Sequence, residues 1–283
     1  MKLIKFEIIP KSSFISFPKG DMIFGFFASG LFLNGDKRLK NYLNEESKII
    51  FSDFLPNRYL PKPTLPLEFF GVDDSQKKEF RKKSWIKVDE LQKGNIFNVE
   101  KIEFYKTQTV IRNSINRKTF STDDSGVFAP FALEELRFLE PVSLYVMFDE
   151  NSFNQAEIED RLNQMGKIGF GKKNSIGKGQ FEAKLVDNDI DLDIKSNYYL
   201  TISPTILNND NIEKSYYDIF NRFGKFANSN TPFKKPTILA QSGAVINLKD
   251  KQKYIGKAIN NGYSQISFVQ GYSIAVPFNF KEL

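Results

Sequence analysis

The chain contains 283 residues, with 40 Lys and Arg against 34 Asp and Glu, a formal net charge of +6, and no Cys or His. The absence of Cys and His excludes thiol nucleophiles, disulfides, Cys/His zinc sites and any mechanism that uses a histidine base. A length near 300 residues favours about two domains. The most apolar run, Met22–Leu33, has twelve residues, whereas a membrane span needs about 20. We therefore expect no membrane partner and a cytoplasmic location.

Hydrophobic periodicity and turn signals predict the elements of the first part of the chain. In chain order they are strand Lys2–Ile9, helix Met22–Leu33, strand Lys48–Phe54, an extended crossing Phe54–Pro66 with four prolines, strand Asn98–Ile111, apolar segment Val127–Phe131, strand Ser143–Phe148, helix Asn154–Met165 and strand Phe181–Val186. Asp21 is the predicted N-cap of the first helix. Asn154 and Glu157 form the capping box of the second helix, with Gly166 as its stop. This order of strands and helices is typical of a ferredoxin-like domain with insertions.

The residues after this unit predict a second, smaller one. The acidic stretch Asp187–Asp193 has no basic residue and is interpreted as a solvated linker. The elements predicted beyond it are strand Tyr198–Ser203, helix Asn211–Phe220, and strands Thr237–Ala240, Ala244–Leu248 and Tyr272–Pro277. The fold class is therefore α+β, with predicted domains at 1–193 and 197–283.

The positive charge is clustered in three turn-rich segments: Gln76–Lys93, Lys167–Lys184 and Lys225–Lys257. Clustered cations suit a nucleic-acid backbone, because each neutralised phosphate releases a counterion. A solvated surface is the alternative for any one of these segments. For the first of them the sequence leaves open a contact with RNA, a contact with a protein partner, or a mobile insertion.

The glycine-rich segment Gly169–Gly179 is the most informative motif. It is not a nucleoside-triphosphate loop, because five residues rather than four separate Gly171 from Gly177, and Gly179 occupies the hydroxyl position. The dinucleotide fingerprint also fails, since Asn174 stands where the third glycine belongs. What remains is a loop whose glycines let backbone N–H groups approach a phosphate while lysines supply charge. A flexible connection is the alternative.

The segment Arg112–Thr119 is polar and basic and joins two predicted strands. Its cations, amides and hydroxyls are suited to following a phosphate backbone, and the isolated Ile115 is suited to wedging at a base step. A solvated loop is again the alternative.

Several carboxylates are candidates for a second class of function, that of a metal-dependent endoribonuclease. Such a site needs acids that converge on one point, and the candidates are Asp21, Asp53 and the pair Asp123-Asp124. Asp21 has an ordinary alternative role as a helix cap.

The first strand and five later segments, in this order along the chain, resemble one known family. The five later segments are Gly20–Gly25, Ser52–Pro63, Arg112–Arg117, Gly169–Gly179 and Gly271–Pro277. The resemblance is to the RAMP-family subunit that caps the 5′ end of the guide RNA in type III-A CRISPR (Csm) effector complexes. It implies two tandem ferredoxin-like domains, a projecting β-hairpin thumb at Arg112–Gly126, and a glycine-rich loop that holds the crRNA backbone.

The resemblance also implies partners and a lack of chemistry. The implied partners are the crRNA 5′ handle, the large polymerase/cyclase-like subunit and a backbone RAMP subunit. A non-catalytic role without cofactor or metal agrees with the missing histidine and with the absence of acids in Lys11–Gly20. Ala244 stands where the family pattern has Ser, which puts an RNA contact by that side chain in doubt. The alternatives are the endoribonuclease and the equivalent cap subunit of a type III-B complex.

The predicted RNA-binding residues come from the two basic segments. They are Arg112, Asn113, Ser114, Ile115, Arg117, Lys118, Gly169, Phe170, Gly171, Lys172, Lys173, Ser175, Gly177, Lys178 and Gly179.

Overall fold

The computed structural model describes residues 1–43, 46–73, 75–123, 126–207, 210–224, 233–260 and 268–281. The helices are α1 (Gly20–Leu33), α2 (Lys77–Phe80), α3 (Val88–Lys93) and α4 (Gln155–Ile168), with 3-10 turns at Leu67–Phe70, Gly126–Phe128 and Asn174–Ile176. The strands are β1 (Lys2–Pro10), β2 (Ile49–Phe51), β3 (Leu55–Pro56), β4 (Tyr59–Pro61), β5 (Trp85–Lys87), β6 (Val99–Glu100), β7 (Tyr105–Arg112), β8 (Phe131–Phe138), β9 (Val142–Phe148), β10 (Phe181–Val186), β11 (Tyr198–Thr201), β12 (Ile212–Tyr216), β13 (Ile219–Arg222), β14 (Thr237–Ala240), β15 (Val245–Leu248), β16 (Tyr254–Asn260) and β17 (Phe268–Pro277).

The first sheet has the order β10-β1-β9-β2, with β3 also paired to β9. All of its pairs are antiparallel, and Phe6 of β1 lies opposite both Leu144 and Leu185. Helices α1 and α4 pack on one face of this sheet. The connectivity is that of the predicted strand–helix–strand, strand–helix–strand unit, and the predicted positions of β1, α4, β9 and β10 are confirmed.

The first sheet is buried on both faces, so it forms the middle layer of the molecule. In β9, Leu144 and Val146 face the helices and pack in the same core as Phe27 of α1. The intervening residues Tyr145 and Met147 face the other way, into a second core that the C-terminal sheet shares. Because neighbouring side chains of a strand point to opposite faces, β9 has every residue buried.

The C-terminal sheet has the order β12-β15-β11-β17-β16. The helix predicted at Asn211–Phe220 is wrong, because β12 and β13 occupy these residues. A β-bulge between Ile212 and Lys214 changes the register, so Ile212 and Ser215 lie opposite Leu248 and Ile246 on one face. The helix was predicted from the apolar residues Ile212, Tyr216 and Ile219, whose spacing of four and three residues is a helical period; in the strand, Ile212 and Tyr216 lie opposite Leu248 and Val245 instead. A ferredoxin-like second domain and the boundary at 193–197 stay predictions.

Two predicted helix signals are also wrong. Lys19, not Asp21, is the N-cap of α1, and its side chain makes no capping bond; Asp53 accepts the Gly20 N–H at 2.8 Å instead. Gly166 does not end α4, which continues to Ile168. A Cβ at Gly166 would collide with the Phe181 carbonyl, so this glycine is required for packing against β10. The Asn154 cap is confirmed, since its side chain accepts the Glu157 N–H.

Segments without a firm prediction are folded into the second core. The proline-rich crossing is extended as expected and carries β3 and β4, and β5 pairs with both β4 and β6. Ile86 and Leu91 of the basic insertion Gln76–Lys93 are fully buried. The linker at Asp187–Asp193 is not simply solvated, because Ile190 is buried. No helix within the described ranges is long and apolar enough to cross a membrane.

Candidate nucleic-acid interface

The glycine-rich loop connects α4 to β10 and is closed at its base by backbone hydrogen bonds. The Phe170 N–H donates to the Gly179 carbonyl at 2.7 Å, and the Gly179 N–H donates to the Ser13 carbonyl at 2.9 Å. Gly179 has φ +75° and lies against the Phe170 backbone, so a Cβ there would collide with the Phe170 carbonyl. The loop is therefore tied to the segment that follows β1.

Strands β7 and β8 form a two-stranded antiparallel hairpin, and the thumb predicted at Arg112–Gly126 covers the connection between them and not the paired strands themselves. The strand predicted at Asn98–Ile111 is divided between β6 and β7, and the second strand of the hairpin begins at Phe131. Within the described ranges, β7 and β8 pair with no other named strand; an isolated bridge joins Leu136 to Phe14. Most hairpin residues are exposed, so the hairpin projects from the body of the protein.

Glu135 of β8 connects the hairpin to the glycine-rich loop. Its carboxylate accepts from Lys178 Nζ at 2.7 Å, from Ser13 Oγ at 2.6 Å and from an Arg112 guanidinium nitrogen at 2.9 Å. The Glu135 side chain is only 3% exposed, and that of Lys178 is 12% exposed. Three segments that are distant in sequence therefore meet at one buried carboxylate.

The electrostatics of this contact favour the ionised form of Glu135. Burial alone would raise its pKa, but the hydrogen bonds from Lys178, Ser13 and Arg112 outweigh that effect and lower the pKa to about 2. Charge-assisted hydrogen bonds of this kind are stronger than neutral ones. The cluster therefore fixes the loop to the hairpin at neutral pH.

The outer part of the loop is available for a ligand. Lys172 and Lys173 are exposed, and Lys173 Nζ lies 5.6 Å from the centre of the Phe131 ring at the end of the hairpin. The N–H groups of Gly171, Lys172 and Lys173 donate no hydrogen bond to any described residue. Adjacent free N–H groups beside two lysines are suited to bind a phosphate.

The hairpin tip presents apolar side chains next to cations. Ile115 is 61% exposed and Phe120 is 85% exposed, with Phe120 held at φ +54°. Arg117 and Lys118 are exposed between them. This combination agrees with the predicted function of following a backbone and contacting a base, with Phe120 as a second apolar candidate beside Ile115.

The structure assigns different positions to the predicted RNA-binding residues. Lys178 and Arg112 point inward to Glu135, and Phe170 is a core residue packed on Phe14 and Phe26. The other predicted residues that are exposed lie on the hairpin tip and on the outer loop; they are Asn113, Ile115, Arg117, Lys118, Lys172, Lys173 and Ser175. The sequence analysis missed Glu135, Ser13 and Phe120. The only local signal for Glu135 was an acid among the apolar residues of a strand.

The carboxylates considered for metal catalysis have different contacts and environments in the structure. Asp21 forms a bidentate pair with Arg222 at 2.6 Å. Asp53 is buried, and burial raises its pKa to about 6 although Lys19 and the Gly20 N–H oppose this. Asp123 lies in the hairpin and Asp124 lies outside the described residues. Within the described ranges, no three acidic side chains are grouped so that they could hold a metal ion.

Comparisons with known proteins connect this geometry to a class of fold. No family model matches the chain, and no curated protein matches it. Among solved structures, a chain of the Csm3–Csm4 subcomplex in the type III-A CRISPR-Cas interference complex has a TM-score of 0.62 at 18% identity, covering 98% of this chain and 100% of that chain. A chain of the Csm1–Csm4 cassette in complex with pppApA has a TM-score of 0.60 at 16% identity, covering 99% of each chain.

The likeness defines the fold. The mixed helix and antiparallel-strand architecture is consistent with the RAMP-like fold expected from the sequence. The resemblance to the subunits of type III-A CRISPR complexes is confirmed at this level, over nearly the whole chain.

Proposed function

We propose that this chain is the Csm4-type subunit of a type III-A CRISPR effector complex. In this role it binds the 5′ handle of the crRNA without catalysing a reaction, and it links the large subunit to a backbone subunit. The observation that carries the proposal is the junction at Glu135, which holds the glycine-rich loop and the hairpin together and leaves Lys172 and Lys173 exposed. A cytoplasmic location and two tandem ferredoxin-like domains belong to the same proposal.

The fold likeness supports the proposed partners. The complexes that contain the similar chains are named for pairs of Csm4 with Csm1 and of Csm4 with Csm3. The proposed non-catalytic role is supported by the lack of histidine in the sequence. It is also supported by the engagement of Asp21 with Arg222 and by the burial of Asp53.

RNA binding by the outer loop is tested with Lys172→Ala/Lys173→Ala. We expect weaker binding to a fluorescently labelled single-stranded RNA with the handle sequence, measured by anisotropy. Loss of two phosphate contacts should reduce the slope of log K against log[salt] by about 1.4, at about 0.7 per phosphate for single strands. Lys178 is left intact, because its replacement would also break the contact with Glu135.

Lys37→Ala/Lys40→Ala is the matched control for this variant. Both control lysines are exposed and follow α1. Their neighbour Arg38 contacts Glu157 in the first turn of α4, whereas the glycine-rich loop follows its last turn, a helix length of about 21 Å away. Equal affinity and equal salt slope for the wild type and the Lys172/Lys173 variant would contradict the assignment of the loop.

The endoribonuclease alternative is tested in the same preparation. Incubation with labelled precursor RNA and Mg²⁺ should leave the RNA intact, and cleavage would contradict the non-catalytic role. Mass spectrometry of the proteins that co-purify from cells identifies the complex as type III-A or type III-B.

A further inference from the structure

A cleft of about 430 Å³ lies at the N-terminal end of α1, apart from the Glu135 junction. Its wall includes residues from three segments that are distant in sequence: Lys19 before α1, Lys62 in the proline-rich crossing, and Gln241 with Ser242 before β15. This volume is near the lower end of the range of small-molecule sites, about 300–1,000 Å³. The cleft is therefore of a size for one nucleoside.

Two aromatic rings line the cleft and are fixed by the core behind them. Trp85 packs edge-on against Phe104 at 5.2 Å, and Tyr105 contacts Phe104 at 5.0 Å and Phe17 at 5.5 Å. Trp85 and Tyr105 are both partly exposed. Rigid, partly exposed rings of this kind are the surfaces on which single-stranded bases stack.

The polar groups of the cleft favour a base over a phosphate. The ammonium groups of Lys19 and Lys62 are offset by the carboxylates of Asp53 and Asp218, so the wall carries no excess of positive charge. The Ser242 hydroxyl is buried and has no hydrogen-bond partner among the described residues. The exposed Asp218 carboxylate is an acceptor only. Such a wall suits a neutral ring that donates a hydrogen bond.

A neighbouring groove supplies the positive charge that the cleft lacks. It shares Ser84, Trp85 and Tyr105 with the cleft and is also lined by Lys82, Lys101 and Lys106, with Glu103 as its single acid. Lys82 is paired with Glu79 at 2.6 Å, which leaves Lys101 and Lys106 for the phosphates of a strand that crosses the two rings.

We propose that this cleft binds one unpaired nucleobase of RNA, stacked on Trp85 and Tyr105 and hydrogen-bonded to Ser242 and Asp218, with the flanking phosphates in the lysine groove. Adenine is preferred to uracil, because adenine has the larger ring for stacking and an exocyclic amino group that donates to the Asp218 carboxylate, whereas uracil can donate to it only through its N3–H. This inference rests on the proposed RNA-binding function and adds a site that the two basic segments do not include.

The test uses the intrinsic fluorescence of Trp85, the only tryptophan in the chain. We expect saturable quenching by an adenosine RNA hexamer and at least three-fold weaker binding of a uridine hexamer. Asp218→Ala should reduce this preference. The control Asp187→Ala removes the same charge from a different cleft and should keep the preference.

A second measurement separates stacking from a change in folding. Trp85→Ala should weaken binding of the labelled handle RNA by about 5- to 100-fold, the loss expected for one stacked base. Trp85→Phe keeps a stacking surface and should restore most of the affinity.

The outcomes distinguish the two proposals. Unchanged Trp85 fluorescence at RNA concentrations that saturate the anisotropy signal would overturn the base site and leave the proposed function intact. Failure of Trp85→Phe to restore affinity would also overturn the base site. No anisotropy change with any RNA would overturn the proposed function, and this inference with it.

Discussion

Replacement of Glu135 by Gln tests whether the ionised carboxylate fixes the glycine-rich loop to the hairpin. Glutamine keeps the size and one acceptor oxygen but removes the charge that Lys178 and Arg112 contact. The difference between the ordinary pKa of 4.5 and the value of about 2 in the folded protein corresponds to about 3 kcal/mol of folding free energy at neutral pH. Because the Glu135 side chain is almost fully buried, solvent screening reduces this figure little.

The sign of the pH dependence follows from the lowered pKa of Glu135. Its contribution to the free energy of unfolding is complete above the unfolded pKa near 4.5 and is lost as the pH falls through about 2. About 2 kcal/mol should already be lost at pH 3. The difference in unfolding free energy between wild type and Glu135→Gln should therefore shrink from about 3 kcal/mol at pH 7 to about 1 kcal/mol at pH 3.

Urea unfolding followed by circular dichroism at pH 7, 4.5 and 3 measures this difference. Glu134→Gln is the matched control, because Glu134 is the preceding residue of β8 and is exposed. The reasoning is refuted if Glu135→Gln destabilises the protein no more than Glu134→Gln does. It is also refuted if the loss is the same at pH 7 and pH 3.

Two further predictions concern the hairpin tip and the buried carboxylate below α1. Replacing residues 115–124 with a Gly-Gly turn should weaken RNA binding and leave the midpoint of thermal unfolding unchanged, because most described residues there are exposed; a lowered midpoint would assign the tip to the core. Asp53→Asn keeps an acceptor for the Gly20 N–H but cannot ionise, and the pKa of Asp53 is raised from 3.8 to about 6. The wild type therefore loses about 3 kcal/mol relative to this variant as the pH rises from about 4 to above 6. The prediction is wrong if the urea midpoint changes between pH 4.5 and pH 7.5 by the same amount in the wild type and in Asp53→Asn.

Local patterns were sufficient to predict the first sheet and its helices. Strands β1 and β10 alternate apolar with charged residues, and the cap at Asn154 is formed by residues three positions apart. Signals of this kind depend on residues that are close in sequence, so contacts with distant residues do not change them. The cap of α1 could not be predicted in this way, since the carboxylate that accepts the Gly20 N–H belongs to Asp53, 33 residues further on.

The pairing register of β12 with β15 explains why a helix was wrongly predicted at Asn211–Phe220. The residues of β12 have a spacing that a helix would also give, and only pairing with β15 decides between helix and strand. A bulge is defined by the pairing of two strands, with two residues of one strand opposite one residue of the other. Sequence patterns therefore predicted that an element exists near residue 212 but not its type.

In the candidate interface, too, the features set by nearby residues were predicted, and those set by contacts between distant residues were not. The sequence identified both basic segments, because glycine, lysine and arginine are visible wherever they occur. It did not separate cations that face solvent from cations that the fold uses internally. Arg112 and Lys178 are 66 positions apart and share Glu135, so their engagement depends on the pairing of β7 with β8 and of β1 with β10.

This engagement changes how the charge of the two segments should be counted. Of the six cations predicted to bind RNA, Arg112 and Lys178 are joined to a buried carboxylate, and releasing them to a phosphate would leave Glu135 buried and unpaired. An uncompensated buried charge costs several kcal/mol, about as much as breaking a buried ion pair. A phosphate contact in water offers less than this, since exposed ion pairs contribute about 0–1 kcal/mol. The two inner cations therefore position the loop and the hairpin, and the four outer cations are the ones that an RNA strand can contact.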